Sequence, residues 1–598
     1  MNMPMFVERI LETEFIGRLV RKFLWLTKEL THKVYIILAQ AFELHPYVRK
    51  LNRGTISGRA KVLHRYFEML KDSLDRMKDR PRFTVFIIDD GLPNFPLAEI
   101  EKSLEFQVDR NFDVIVVSIS QAKDLGLLLA NATGDYVVFL GRQQRLVPQT
   151  LAEISRFTAI SPDVQIIYAD EMCLENNTVF YKPAWSPLLF LSNQYIGRTV
   201  FFSRTLMPSA VKSIDSSELL VPTLILKLAI EDGIKVHHLP IVLSATRQKL
   251  GALPNAAAGQ SWLQQIESLK IPTLSGFVGV YHESLASLGV SFSYPNQPLI
   301  SIIIPSKNGF DLIGPCLKSI FERTKYSNFE IIIIDHESTD QNVTDLYKMY
   351  LSQKAERFRI IPFKGSFNFA AMNNLGVAAS RGEYVILLNN DTEVLGDTWL
   401  ENLLAFARQP HVGACGAKLD YPDNEIQHAG ISTVGSAIAA HQGLKLKSTT
   451  NIYFNYLQLT HEVSIVTGAC LMINKQRYLD VGGLDETSVP NGFGDVDFCL
   501  KLRSKGFTNI YVATSLLIHK ESKTRSHNIE IFERIYMLDK WKETLLKDSY
   551  LNPAMESTLK PLTYYADQVL PPPYLEALLL GKRLETLGEI SWHGWSKQ

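Results

Sequence analysis

Arg381-Gly-Glu-Tyr-Val-Ile-Leu-Leu-Asn-Asn-Asp-Thr-Glu393 decides how this chain is read. Tyr384 to Leu388 form a nearly unbroken apolar run, which predicts a parallel strand buried on both faces. Three polar residues, Asn389, Asn390 and Asp391, follow abruptly. In an open α/β sheet the carboxyl ends of the strands face the ligand crevice, so these are candidate site residues. Asp391 is the candidate metal ligand, because a carboxylate there can hold a divalent cation that grips a diphosphate.

The same phrase occurs 248 positions earlier, as Gly134-Asp-Tyr-Val-Val-Phe-Leu140. Each copy is preceded by two apolar runs, Phe83–Ile88 and Asp113–Ser118 in the first, Leu299–Ile304 and Phe329–Ile334 in the second. An internal repeat of this kind predicts two related α/β domains in tandem, with Rossmann-like sheets. At the position of Asp391 the first copy has Gln143, and Gly141-Arg142 replace Asn389-Asn390. Glutamine is a poor ligand for a hard cation, so the first copy is expected to keep the fold and lose the metal.

The remaining boundaries follow from composition. Residues 1–79 are expected to be helical, 80–243 the degenerate domain, 244–296 a linker with a short helix, 297–525 the intact domain and 526–598 a helical tail. Between Phe6 and Leu51, apolar residues at helical spacing alternate with Arg18, Arg21, Lys22, Lys28 and Lys33. That basic amphipathic helix suits either packing on a neighbour or peripheral contact with an anionic membrane.

The chain has 598 residues, and its 62 Lys+Arg balance 62 Asp+Glu. No net field recruits a polyanion, so nucleic acid is not an expected partner. The five cysteines are scattered, without metal-like spacing, and suit free thiols in a reducing cytoplasm. Neither a signal peptide nor a membrane span is expected, since Val34–Phe42 is far shorter than the roughly 18 apolar residues a span requires.

Ser301-Ile-Ile-Ile-Pro305, Ile333-Ile-Asp335, Leu388-Asn-Asn-Asp391, Val466-Thr-Gly-Ala-Cys470, Gly482-Gly-Leu-Asp-Glu486 and Gly494-Asp-Val-Asp497 occur in that order. In this order the second copy resembles the family 2 glycosyltransferases, nearest to bacterial enzymes of O-antigen and surface-polysaccharide assembly, including rhamnosyltransferase-like members. The resemblance implies a GT-A fold and inverting transfer from a nucleotide-diphosphate sugar, UDP- or dTDP-linked, with Mn2+ or Mg2+. The acceptor it implies is a glycan or a lipid-linked precursor. It also implies roles: Pro305, Ser306, Asp335, Asn389 and Asn390 for the nucleotide sugar, Asp391 and His519 for the metal. Asp495 would be the catalytic base, and Thr467, Gly468 and Asp497 would meet the acceptor. On its own Asp495 equally suits a helix cap, and His519 a structural histidine. Two other readings stay open: a non-catalytic glycan- or nucleotide-binding protein, and a bifunctional transferase using both copies.

Overall fold

The computed structural model describes residues 67–552, apart from 90–95, 119–128, 130, 176–177, 208–218, 248–252, 254, 434–437, 451–454, 522–530 and 546. The basic N-terminal helix and residues 553–598 of the expected helical tail therefore lie outside the described residues.

The first sheet comprises β1 (Phe83–Asp89), β2 (Phe112–Ser118), β3 (Tyr136–Gly141), β4 (Gln144–Leu146), β5 (Ile166–Cys173), β6 (Thr178–Phe180), β7 (Val200–Ser203) and β8 (Val236–Thr246). Its order is β2-β1-β3-β7-β5-β8-β4, with β6 on β5. Helix α1 (Leu97–Glu105) follows β1, α2 (Pro187–Asn193) precedes β7, and α3 (Leu220–Ile225) precedes β8.

The stretch expected as a linker is instead largely folded. Helix α4 (Ala256–Ser268) is capped by the Asn255 side chain, which accepts from the Ala258 N–H, and it leads into the hairpin β9 (Phe277–His282) and β10 (Ser287–Phe292). Trp262 of α4 is fully buried and donates its indole N–H to the Leu191 carbonyl of α2 at 2.8 Å. Phe292 of the hairpin meets Phe406 of the second domain edge-to-face, so the segment joins both units. Gly, Pro and Ala in sequence concealed this, because burial against neighbours rather than local pattern stabilises it.

The second sheet begins with β11 (Ile300–Ser306), helix α5 (Phe310–Arg323), β12 (Phe329–Asp335), β13 (Phe358–Pro362), helix α6 (Phe369–Ala379), β14 (Tyr384–Leu388) and β15 (Thr392–Val394). It continues with β16 (Val412–Asp420), β17 (Ile426–His428), the small pair β18 (Ile431–Thr433) and β19 (Ala439–His441), then β20 (His461–Val463) and β21 (Cys470–Asn474). Helix α7 (Gly494–Ser504), β22 (Thr508–His519) and helix α8 (Ile531–Leu545) complete it. The order is β13-β12-β11-β14-β21-β16-β22-β15, with β17 on β16 and β20 on β22. Strand for strand this repeats the first sheet, with β13 added at one edge and β20 added on β22.

The repeat extends to single contacts. Gly382 donates its N–H to Ser301 Oγ and Gly134 to Thr84 Oγ1, both at 2.9 Å. A Cβ at Gly382 would lie 2.7 Å from the Ser301 nitrogen, and one at Gly134 2.4 Å from the Thr84 nitrogen. Only glycine lets each Gly-acidic-Tyr strand enter this close to the central strand. Central strands β11, β12 and β14 are buried on both faces, as their apolar runs demanded.

The domains are joined by a buried contact. Glu462 of β20 accepts the Leu188 N–H at the start of α2 at 3.2 Å, and also the Ser186 hydroxyl. Burial pushes its carboxyl up to about 7. Asn552 reaches from the second domain to Asp170 of β5, at 2.9 Å, and to the Lys182 carbonyl.

Candidate active site

The carboxyl ends of β12, β11 and β14 lie side by side, and the five expected nucleotide residues stand there. Register pairs Pro305 with Ile334 and Ser306 with Asp335. Asn390 donates its amide to Ser306 Oγ at 3.1 Å, tying the end of β14 to β11. Asp335 accepts the Ser338 N–H through Oδ2 at 3.2 Å, while its other oxygen, Oδ1, is buried without a hydrogen-bond partner. Such an orphaned acceptor is costly to bury and suits a ligand donor. The loops after β11 and β12 are stitched together by Asn308, whose Oδ1 accepts the Thr339 N–H at 2.7 Å.

Asp391 sits one residue before β15, which pairs with β22 so that Thr392 faces His519. His519 Nε2 lies 3.2 Å from Asp391 Oδ1 and 3.2 Å from Asn389 Nδ2. Both Asp391 and His519 are buried. Ligands at adjacent positions on a cation, each about 2.0–2.2 Å from it, stand about 3 Å apart, so this oxygen–nitrogen pair fits a divalent ion. Among the described residues no cluster of three or more His, Cys, Asp or Glu encloses a cation. A two-donor site of this kind leaves coordination positions for phosphate oxygens.

Asp495 occupies the first turn of α7. Its Oδ2 accepts the Gly468 N–H at 2.9 Å and its Oδ1 the Val496 N–H at 2.8 Å. Burial pushes its carboxyl above the ordinary aspartate range, and the two N–H donors partly offset that. The Gly468 loop leads into β21, which lies antiparallel to β14 with Leu388 opposite Cys470. Asn389 donates its backbone N–H to the Ala469 carbonyl at 3.0 Å. The Asn389-Asn390-Asp391 turn and the loop holding Asp495 therefore share one end of the sheet.

Thr467 and Gly468 are at this end as expected, as neighbours of Asp495. Asp497 is not brought to it. It is fully buried, and its Oδ1 accepts from Lys540 Nζ at 2.7 Å and from the Trp541 indole N–H at 2.8 Å. Helix geometry explains this: Asp495 and Asp497 are two positions apart, about 200° around α7, so they project on different sides.

Helix α8 was read from sequence as packing only, yet it braces the Asp495 loop. Glu533 is buried, and its Oε1 accepts the N–H groups of Asn491 and Gly492 at 2.9 and 3.0 Å. Asn491 Oδ1 in turn accepts the Phe369 N–H at the start of α6. No local signal in the sequence marks Glu533, which acts through a partner 42 residues away.

The first sheet carries the same frame with different chemistry. Arg247 donates its N–H to the Gln143 carbonyl at 3.2 Å, just as Lys520 does to Asp391 at 3.1 Å. Gln144 pairs with Thr246 as Thr392 pairs with His519. Thus Gln143 and Thr246 stand where Asp391 and His519 stand. Arg142 pairs with Asp89 at 2.6 Å, in place of the Asn390–Ser306 contact. Arg145 and Arg247 both reach Glu99 of α1, at 2.6 and 3.3 Å.

All five cysteines are free and buried, and burial raises the Cys316 thiol to about 12, so that thiol is no ready nucleophile. Among the described residues no helix is long and apolar enough to cross a membrane.

The chain is 32% identical to the uncharacterized protein y4gI of Sinorhizobium fredii (strain NBRC 101917 / NGR234), over 73% of this chain and 50% of that protein. It is 28% identical to the O-antigen biosynthesis protein RfbC of Myxococcus xanthus, over 73% of this chain and 35% of that one. The chain thus spans half or less of the length of these relatives. A solved structure of GalNAc-T7 with UDP, GalNAc and Mn2+ is similar at 14% identity, with a TM-score of 0.35 over 42% of this chain and 50% of that one. Residues 301–480 match the model of glycosyl transferase family 2, and the second α/β domain of this chain belongs to that family.

Proposed function

We propose that the second domain, residues 297–525, is an inverting glycosyltransferase that moves a sugar from a nucleotide diphosphate to a hydroxyl of a glycan or lipid-linked acceptor in surface-polysaccharide synthesis. The observation that carries this is the Asn389–Ala469 hydrogen bond, which sets the Asp391–His519 pair and Asp495 at one end of the same sheet.

Pro305, Ser306 and Asp335 hold the nucleoside, with the free Asp335 oxygen accepting from the base or ribose. Asn389 and Asn390 position the diphosphate. Asp391 and His519 would hold Mn2+ or Mg2+, which when bound would supply positive charge against the negative charge that grows on the departing phosphate. Asp495 takes the proton of the acceptor hydroxyl as that oxygen bonds to the anomeric carbon and the bond to the diphosphate breaks. Its raised affinity for a proton suits a general base. One displacement suffices, so no covalent nucleophile is required. Thr467 and Gly468 keep Asp495 oriented toward the acceptor.

The first domain, strands β1 to β8, serves as a scaffold. Gln143 and Thr246 replace the metal donors, and Arg142 and Arg145 neutralise Asp89 and Glu99 internally. A thermal-shift screen of nucleotide sugars with Mn2+ tests the assignment. A UDP- or dTDP-sugar that raises the midpoint only with the metal supports it, since such a ligand binds the folded state. No shift with any nucleotide sugar would count against it.

A further inference from the structure

Two histidines beside the metal pair have no place in the account so far. His428 ends β17 and is fully buried. Leu419 of β16 pairs with both His428 and Leu517, and His519 lies two residues beyond Leu517. Partners across a ladder, and residues two apart along a strand, point to the same face of a sheet. His428 and His519 therefore project from one face. His441, half-buried on β19, lies over that face with its ring edge-to-face against His428, centroids 5.3 Å apart. It also lies within electrostatic reach of His519 and Glu521.

The two rings meet Nδ1 to Nδ1 at 3.3 Å. One nitrogen must carry a proton and the other a lone pair. His428 Nε2 decides which, because it is buried with no hydrogen-bond partner. It points at the gap left by Gly416, where a Cβ would lie 3.2 Å from it. An orphaned N–H is rarer in folded proteins than an orphaned acceptor, so the proton of His428 belongs on Nδ1. His428 then donates to His441 Nδ1, and His441 carries its own proton on Nε2. Burial lowers both rings, His441 to about 4, so neither competes as a cation at neutral pH.

We propose that His441, locked by His428 as the Nε2–H tautomer, is a positioning residue that donates a hydrogen bond to an oxygen of the bound nucleotide sugar beside His519. The oxygen belongs to the diphosphate or to a sugar hydroxyl. This rests on the glycosyltransferase reading of the same site, and its test separates the two.

Ring-nitrogen NMR of the 15N-histidine-labelled full chain reads the tautomers without any ligand, with His428→Asn and His441→Gln assigning the signals. The proton is expected on Nδ1 of His428 and on Nε2 of His441, and the reverse pattern overturns the inference. Calorimetry with UDP and with UDP-glucose, each with Mn2+, supplies the second arm. His441→Ala is expected to weaken binding about tenfold, the scale of one lost hydrogen bond. His428→Ala should match it, while His428→Asn, which keeps a donor near Nδ1, should stay within about twofold of wild type. Loss with UDP alone assigns a phosphate oxygen; loss only with UDP-glucose assigns a sugar hydroxyl. Unchanged affinity of His441→Ala for both, where wild type binds, overturns the proposal. A wild type that binds neither counts against the glycosyltransferase reading, and the nitrogen shifts then decide the histidine pair.

Discussion

Asn389 gives its backbone N–H to the carbonyl of Ala469 at 3.0 Å, and this bond joins the two halves of the candidate site. On one side the chain continues to Asp391, and on the other Gly468 holds Asp495. Each carboxylate is thus set by backbone rather than by a flexible side-chain path. Preorganisation of this sort is what an active site needs, because misplacement by about 1 Å can cost 10²-fold in rate.

Asp495→Asn should lower kcat by about 10²–10⁴ with only a modest drop in melting midpoint, since the one amide oxygen still accepts from Gly468 while the Val496 N–H loses its acceptor. The wild-type pH profile should carry the matching signature. Burial raises this carboxyl, so the base is lost as pH falls through a value above the ordinary aspartate range. An acid limb at or below about pH 4, the ordinary aspartate range, would count against Asp495 as the base.

Asp497→Ala should act on stability, not on acceptor recognition. It takes a buried acceptor away from the exposed Lys540 ammonium and the half-buried Trp541 N–H, a change that costs about 1–3 kcal/mol. Denaturant unfolding should show that loss. An intact fold with a selectively raised acceptor KM would return Asp497 to the site.

Glu462 at the seam between domains makes stability pH-dependent. Its carboxyl titrates near 7 when folded and near 4.5 when free, so the folded state binds the extra proton between those values. Stability should therefore be greatest below about pH 4.5 from this group and decline as pH rises toward 7, by up to about 1.4 kcal/mol per pH unit. Glu462→Gln should flatten that slope and raise the midpoint at pH 8 more than at pH 5. Parallel curves for both proteins would refute the assignment.

Gln143→Ala in the first domain should leave turnover at the wild-type level, because the metal pair there is already replaced by Gln143 and Thr246. A large loss of kcat in this variant, with the fold intact, would favour a second active domain.

Much of this was legible before any coordinates. Tyr384–Leu388 and its copy Tyr136–Leu140 announced both buried strands, and the polar residues after them marked the site, because burial on two faces leaves no other composition. Gln143 announced the loss of a metal donor. Thr246 did not, since its equivalence to His519 depends on which residues pair across β4 and β8. Asp497, two positions beyond Asp495, looks like it in sequence, but its partners Lys540 and Trp541 come from a distant helix. The bracing by Glu533 and the His428–His441 pair arise from contacts between distant segments, which no local pattern carries.

The most direct test is donor hydrolysis with Mn2+ by wild type, Asp391→Asn and Asp495→Asn, using the nucleotide sugar that binds best. The account predicts turnover in wild type and its near-complete loss in each variant, with folding preserved. Wild-type turnover persisting in both variants would contradict it.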